Sequence, residues 1–479
     1  MSERMRLTRF ERFLTLFTQV QAGEGRCIAI LTLQAFTLML AYYLIRPVRE
    51  ALILTEGTAE LRSYAVGVQA VLLLLILPAY GQLVGRVRTN HVFRFVMAFF
   101  ALNLVGFFAI GNAGIHFSFA FFVWASIFAV MAVTQFWAFA TDLLDVRSGT
   151  RLFGVIAVGV SAGAFAGSML ASAGFAAIGP YGLMLASAGV ICIAIALSEY
   201  ARAEVERRPT VASRELEHSR SAASDSARRW LGGIAIVGNS RYLVGIAALV
   251  VLVNWITSTG DYVLSNWLTE LARQRAPADP GAFIGAFMGK YCSTITLAGF
   301  LIQLLLVSRI INGAGIARAL LVTPVAILAG FCLIGFVPVF ALLQSALIVQ
   351  RSLDYSLLNT ARSTLLLPAT REEKYQAKTA IDTLFYRVGD LLSTLGVFIG
   401  LRLFNEPRLQ FVWLIVLLSA VMTLVAWFIG REYGRRYGAR GVSSAIRRGR
   451  TSGWLDDDIG RQDDVAAQPA VSRPAGGFA

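Results

Sequence analysis

Four charged residues lie where an apolar chain should not carry them. Arg351 and Asp354 stand at i, i+3 in one hydrophobic run, and Arg387 and Asp390 repeat that spacing in the next. A charge at bilayer depth costs about 2.5–3.5 kcal/mol on insertion scales, so it should face a cavity or a partner. Residues three apart share a helix face, so each pair can neutralise itself, serve a ligand, or lock one helix to another. Between the pairs runs a basic loop, TREEKYQAK, and the whole stretch 351–390 reads as a polar path through a helical bundle. Asp390 could also titrate and carry a proton.

Three further places carry charge into apolar sequence. Arg46, Arg49 and Glu50 surround Pro47 at the end of the first hydrophobic run. Arginine forks suit phosphate or carboxylate, which makes this knot a candidate anion site. The alternative is that the guanidiniums reach lipid headgroups, with one of them paired to Glu50. Pro47 is expected to break the helix at that point. Asp261 sits in NWITSTGDYVL, either facing Arg46 or Arg49 across a cavity or solvated near the outer mouth. Lys290, in FMGKYCST, either binds an anion, pairs with Asp261 or Asp390, or extends to the outer headgroups. The substrate candidates are therefore Arg46, Arg49, Asp261, Lys290, Arg387 and Asp390. The gate or salt-bridge candidates are Glu50, Asp142, Arg147, Arg351, Asp354 and Lys374.

The elements that must position these residues follow from composition. Of 479 residues, 56% are hydrophobic and 15% charged, against about 25% charged in soluble domains. The chain is a polytopic membrane protein. Its net charge of +14 resides in loops and tails, as the positive-inside rule requires, and implies no nucleic-acid partner. The cysteines (Cys27, Cys192, Cys292, Cys332) lie in apolar runs without metal-ligand spacing, and His91, His116 and His218 lie in or beside loops. No nucleophile–base pair, metal cluster, cofactor loop or Walker motif is present, so neither an enzyme nor a bound cofactor is expected. The glycines Gly154, Gly159, Gly163 and Gly167 suit close helix packing rather than phosphate.

A span needs ~20 mostly apolar residues. Such runs fall near 27–46, 64–85, 91–111, 117–140, 153–175 and 181–199, then near 242–263, 282–307, 315–336, 337–357, 378–404 and 410–430. The expected fold is all-α integral membrane: about twelve transmembrane helices in two six-helix bundles, 27–199 and 242–430. Residues 1–26 read as an interfacial amphipathic helix, 200–241 as a cytoplasmic link, and 431–479 as a basic, then disordered tail. Short-loop arginines place both termini in the cytoplasm. The loop after the first run breaks that rule with Arg46, Arg49 and Arg62, and such a breach often marks function. Arginine in place of nearly all lysine suggests a GC-rich bacterium, hence an inner membrane. The GQLVGRVR segment matches the major facilitator signature G-x-L-x-D-R only in part, with Gly85 where the aspartate should be.

Three segments together resemble the ATP/ADP translocase family of bacterial and plastid nucleotide transporters. They are YYLIRPVREALILTEG, FWAFATDLLDVRSGTRLFGVIAVGVSAGAFAGS, and the 351–390 stretch with LDYSLLNTAR, LPATREEKYQAKTAIDT and YRVGD. The resemblance implies a major-facilitator-like fold and exchange of nucleotides, with ATP or ADP as the anionic partner; separately, a monomer is the expected unit. It implies an essential cation at Arg49, and it departs from the family at Ala125, where a glutamate is expected, and at Asp390, where a lysine is. The other readings are a proton-coupled carrier of another organic anion and a non-transporting membrane scaffold.

Overall fold

In the computed structural model, residues 25–84, 92–144, 146–206, 233–366, 376–404 and 408–437 are described. The interfacial helix expected at the N-terminus, most of the 200–241 link and most of the tail lie outside them. One compact unit, Met1–Gly430, holds every residue discussed below; a second is Arg431–Ala479.

Most of the described residues are helical, and none of them is in a strand. Ten stretches are long and apolar enough to cross a membrane. We number the helices α1 (Gly25–Glu56), α2 (Ala59–Val84), α3 (Val92–Asn112), α4 (Ser118–Leu143), α5 (146–178) and α6 (180–206). Then follow α7 (Arg241–Arg275), α8 (Pro280–Leu305), α9 (Ile316–Phe336), α10 (340–365), α11 (Lys378–Leu403) and α12 (Arg408–Tyr437). The α5–α6 pair forms one continuous apolar stretch, parted at Gly179, whose φ of 66° and ψ of −179° only glycine adopts readily. Pro180 then opens α6, where its missing N–H is no loss. The chain doubles back there, since a side chain on Gly174 would strike Leu183.

The first helix runs further than its hydropathy suggests. It is helical from Gly25 through Pro47 to Glu56, 32 residues or about 48 Å. The expected break at Pro47 does not occur. Arg46, Arg49 and Glu50 therefore lie within a membrane helix, not in a loop, and the apparent breach of the positive-inside rule disappears. The hydropathy window ends at the charges, but buried partners allow the helix to continue beyond them.

α5 packs directly on α1 through its glycines. A methyl group on Gly159 would lie 2.5 Å from the Thr32 carbonyl oxygen, one on Gly167 would lie 2.6 Å from that of Leu40, and one on Gly163 would collide with that of Phe36. The stripe at i, i+4, i+8 thus sets backbone against backbone, the close-packing role its composition suggested. Where α5 meets α8, Ser172 Oγ donates to the Ala286 carbonyl at 2.8 Å. Where α2 meets α11, Thr394 Oγ1 donates to the Ser63 carbonyl at 3.1 Å. These contacts hold the first six helices against the last six at the Gly179 end.

Two helices are interrupted. α10 contains a π turn at Asp354–Leu358 and α11 another at Ile381–Phe385. Both lie within the polar stretch 351–390 singled out in the sequence, and π turns concentrate at functional sites.

Candidate functional site

Short polar stripes, each at helical spacing, turn inward around one cavity. On α7, Asn254, Thr257, Ser258 and Asp261 occur at i, i+3, i+4 and i+7, which places them on one face. α1 supplies Tyr42, Tyr43, Arg46 and Arg49, α2 supplies Arg62, and α4 supplies Phe122 and Ser126. α10 adds Arg351 and Tyr355, and α11 adds Tyr386, Arg387 and Asp390. They enclose about 330 Å³, within the range of small-molecule sites.

One end of this cavity is closed by ion pairs. Arg62, 5% exposed, donates from Nε to Glu50 Oε2 at 2.6 Å and from Nη2 to Glu50 Oε1 at 3.3 Å. The same Nη2 lies 3.4 Å from Asp261 Oδ2 across the bundle, and Arg351 Nη2 donates to that oxygen at 2.5 Å. Arg49 donates to Ser126 Oγ at 2.7 Å and to Glu50 Oε1 at 3.2 Å, with its guanidinium 4.6 Å above the Phe122 ring. Arg46 bonds the Tyr43 hydroxyl at 3.2 Å. Beyond this layer is a void of about 30 Å³, lined by Glu50, Ser265, Met288, Tyr291, Cys292 and others. Arg46, Arg62, Asp261 and Arg351 border both spaces, so this layer is the partition between them.

The α2 N-terminus makes the partition possible. The Leu61 backbone N–H donates to Thr58 Oγ1 at 3.1 Å, a side-chain cap that starts α2 directly after α1 ends. The tight connection brings Arg62 back beside Glu50, one helix against the next. At the other end of the cavity, Asp390 is 5% exposed. It accepts from Ser258 Oγ at 2.7 Å and from Arg387 Nη1 at 3.2 Å. Asn254 Nδ2 donates to the Tyr386 carbonyl at 2.5 Å, tying α7 to the turn after the α11 π segment.

The site thus gathers Arg46, Arg49, Glu50, Asp261, Arg351, Arg387 and Asp390. Some of the sequence candidates do not join it. Lys290 is exposed on α8 and borders neither space; its neighbour Tyr291 takes the inward direction. Arg351 turns to Asp261 instead of to Asp354, and Asp354 opens the π turn. Asp142 is exposed at the far end of α4. The Arg147 side chain and the whole of Lys374 lie outside the described residues. Arg62 was absent from the candidate set, though its place among the out-of-rule arginines was the available signal. Among the described residues, no His, Cys, Asp and Glu cluster could hold a metal.

Five guanidiniums and three carboxylates meet here, an excess of two positive charges. Such a cavity attracts an anion and can grip it with paired N–H forks. A model of one known family fits the central part of the sequence, residues 115–347. That family is the TLC ATP/ADP transporter. The TLC match takes in Ser126 and Asp261, and the resemblance read from three sequence segments stands with it. No curated protein matches the sequence.

Solved structures share the fold with this chain. The nucleoside transporter NupG superposes with a TM-score of 0.59 at 12% identity, over 84% of this chain and 98% of that one. A bacterial homologue of the iron transporter ferroportin, in an inward-facing state, gives 0.56 at 14%, over 85% and 98%. A bacterial homologue of the human lysosomal transporter Spinster gives 0.56 at 12%, over 87% and 99%. The fold is major-facilitator-like, and the chain is a multi-pass membrane transporter rather than an enzyme.

Proposed function

We propose that the chain exchanges nucleotides such as ATP and ADP across a bacterial inner membrane by alternating access, as a monomer with both termini cytoplasmic. The observation that carries this reading is the arginine excess in a cavity of about 330 Å³, taken with the ATP/ADP transporter match. Arg46, Arg49 and Arg62 supply forks suited to phosphate oxygens. Tyr42, Tyr355 and Tyr386 supply aromatic faces against which a base can stack, a contact worth about 1–3 kcal/mol in other nucleotide-binding proteins. In this proposal 27–199 and 242–430 rock as two bundles about the cavity, and the state seen here has its outer end shut by the Glu50–Arg62–Asp261–Arg351 partition.

The test is counterflow. Purified protein in liposomes loaded with ADP should take up labelled ATP, and empty liposomes should not. Absence of counterflow with every nucleotide would overturn the reading. A second reading, proton-coupled carriage of another organic anion, is favoured by the buried Asp390 carboxylate on the cavity wall. Uptake that collapses with a protonophore and in Asp390→Asn would select it.

A further inference from the structure

The partition has an uneven charge distribution. The α1–α2 side contributes Arg46, Arg49 and Arg62 with Glu50 alone as counter-charge, whereas the α7–α10 side contributes the balanced pair Asp261 and Arg351. Arg62 Nη2 divides its donation between Glu50 at 3.3 Å and Asp261 at 3.4 Å. The excess on the α1–α2 side therefore borrows a carboxylate from the other side for as long as the halves touch. Parting them at this end removes Asp261 and leaves three buried guanidiniums facing one carboxylate. Desolvated charge without a counter-ion is strongly disfavoured, so the contact should hold until another anion replaces Asp261.

We infer that Asp261 is a tethered stand-in for the substrate anion and that it makes transport by this chain an obligatory exchange. This rests on the anion-exchange reading above. With an anion on Arg46, Arg49 and Arg62, the α1–α2 side keeps its counter-charge when Asp261 withdraws, and the outer end opens. With the cavity empty, Asp261 is the only spare carboxylate available to Arg62 among the residues lining the partition, and the outer end stays shut. The ligand thus acts through its differential affinity for the two states, as any coupled carrier requires. A carrier that cannot reopen empty returns only when loaded, and that is antiport.

The experiment removes the stand-in together with the Arg351 charge that it holds on its own side. Asp261→Asn combined with Arg351→Gln deletes a pair that is neutral together, so Arg351 is not left uncompensated. Liposomes loaded with labelled ADP are diluted into buffer with or without external ADP. The unmodified protein should release label only with external ADP. The double variant should release it into ADP-free buffer at least about tenfold faster than the unmodified protein does. Release that remains strictly dependent on external ADP in the double variant overturns the inference.

A second readout does not depend on nucleotide flux. Cys292 is 6% exposed and lines the small void beyond the partition. With Cys27, Cys192 and Cys332 replaced by serine, its reaction with a membrane-impermeant maleimide reports opening at that end. The double variant should label several-fold faster than its parent, and unchanged labelling overturns the inference. If labelling rises but no nucleotide moves in any form of the protein, the nucleotide reading falls while the Asp261 closure stands.

Discussion

Arg351 donates to Asp261 at 2.5 Å across 90 positions of sequence, and not to Asp354 three residues along its own helix. The choice follows from which face looks into the cavity. Arg351 is 9% exposed and borders both spaces, while Asp354 borders neither. Removing one partner of a buried pair costs more than removing both, because it leaves a bare charge. Asp261→Asn should therefore lower stability by about 3–5 kcal/mol, read as thermal or denaturant unfolding in detergent. Adding Arg351→Gln should recover more than half of that loss. Equal stability of the single and double variants would show that the pair is not the relevant unit.

Arg49 makes two different contacts with two terminal nitrogens, Ser126 on one side and Glu50 on the other. Arg49→Ala should abolish exchange while leaving expression and monodispersity intact. Arg49→Lys keeps the charge but not the fork, so it should bind substrate at least tenfold more weakly. Initial-rate kinetics in liposomes separate these outcomes, and full activity of the alanine variant would exclude Arg49 from the site.

Lys290 provides the opposite expectation. It is exposed on α8 and borders no part of the cavity. Lys290→Ala should leave exchange within about twofold of the unmodified protein. A loss comparable to that of Arg49→Ala would mean that α8 turns this face inward at another stage of the cycle.

The α5 glycines separate packing from chemistry. Gly163 has no room for a methyl against the Phe36 carbonyl, whereas Gly154 has open space around its Cα. Gly163→Ala should destabilise by about 1–3 kcal/mol, the usual cost of overpacking, and Gly163→Leu should fail to yield folded protein. Gly154→Ala should be neutral or slightly stabilising. Size-exclusion profiles and unfolding temperatures of the purified variants decide this.

The sequence shows the lining better than it shows the partners. The α7 stripe from Asn254 to Asp261 is visible as polar residues at helical spacing, and Arg387 with Asp390 as an i, i+3 pair whose members do meet, at 3.2 Å. The fold class is legible in the apolar runs, because every backbone group in a bilayer must find its hydrogen bond within a helix. What hydropathy misreads is the extent of α1. Arg46, Arg49 and Glu50 look like a terminus because a window averages side chains without their counter-charges, and the counter-charge for this group sits on α2 and α7. Arg62 was hidden for the same reason: its partners are 12 and 199 positions away. Pairing across such distances is a property of the assembled bundle, and no local spacing encodes it.

The π turns in α10 and α11 carry a consequence for register. A hydrogen bond from i to i+5 encloses one more residue than the ordinary i to i+4, so each turn stores a single extra residue inside its helix. Deleting one residue within 354–358 would restore an ordinary helix with the flanking faces in place, whereas straightening the turn with that residue retained would swing everything after it by about 100°, one residue's share of a 3.6-residue turn. Arg351, ahead of the turn, would stay on Asp261. Leu357 and Ala361, now fully buried, would rotate off the core, and the exposed side of α10 would take their place. The two ends of this helix therefore follow separate clocks, one set by the cavity and one by the packing beneath it.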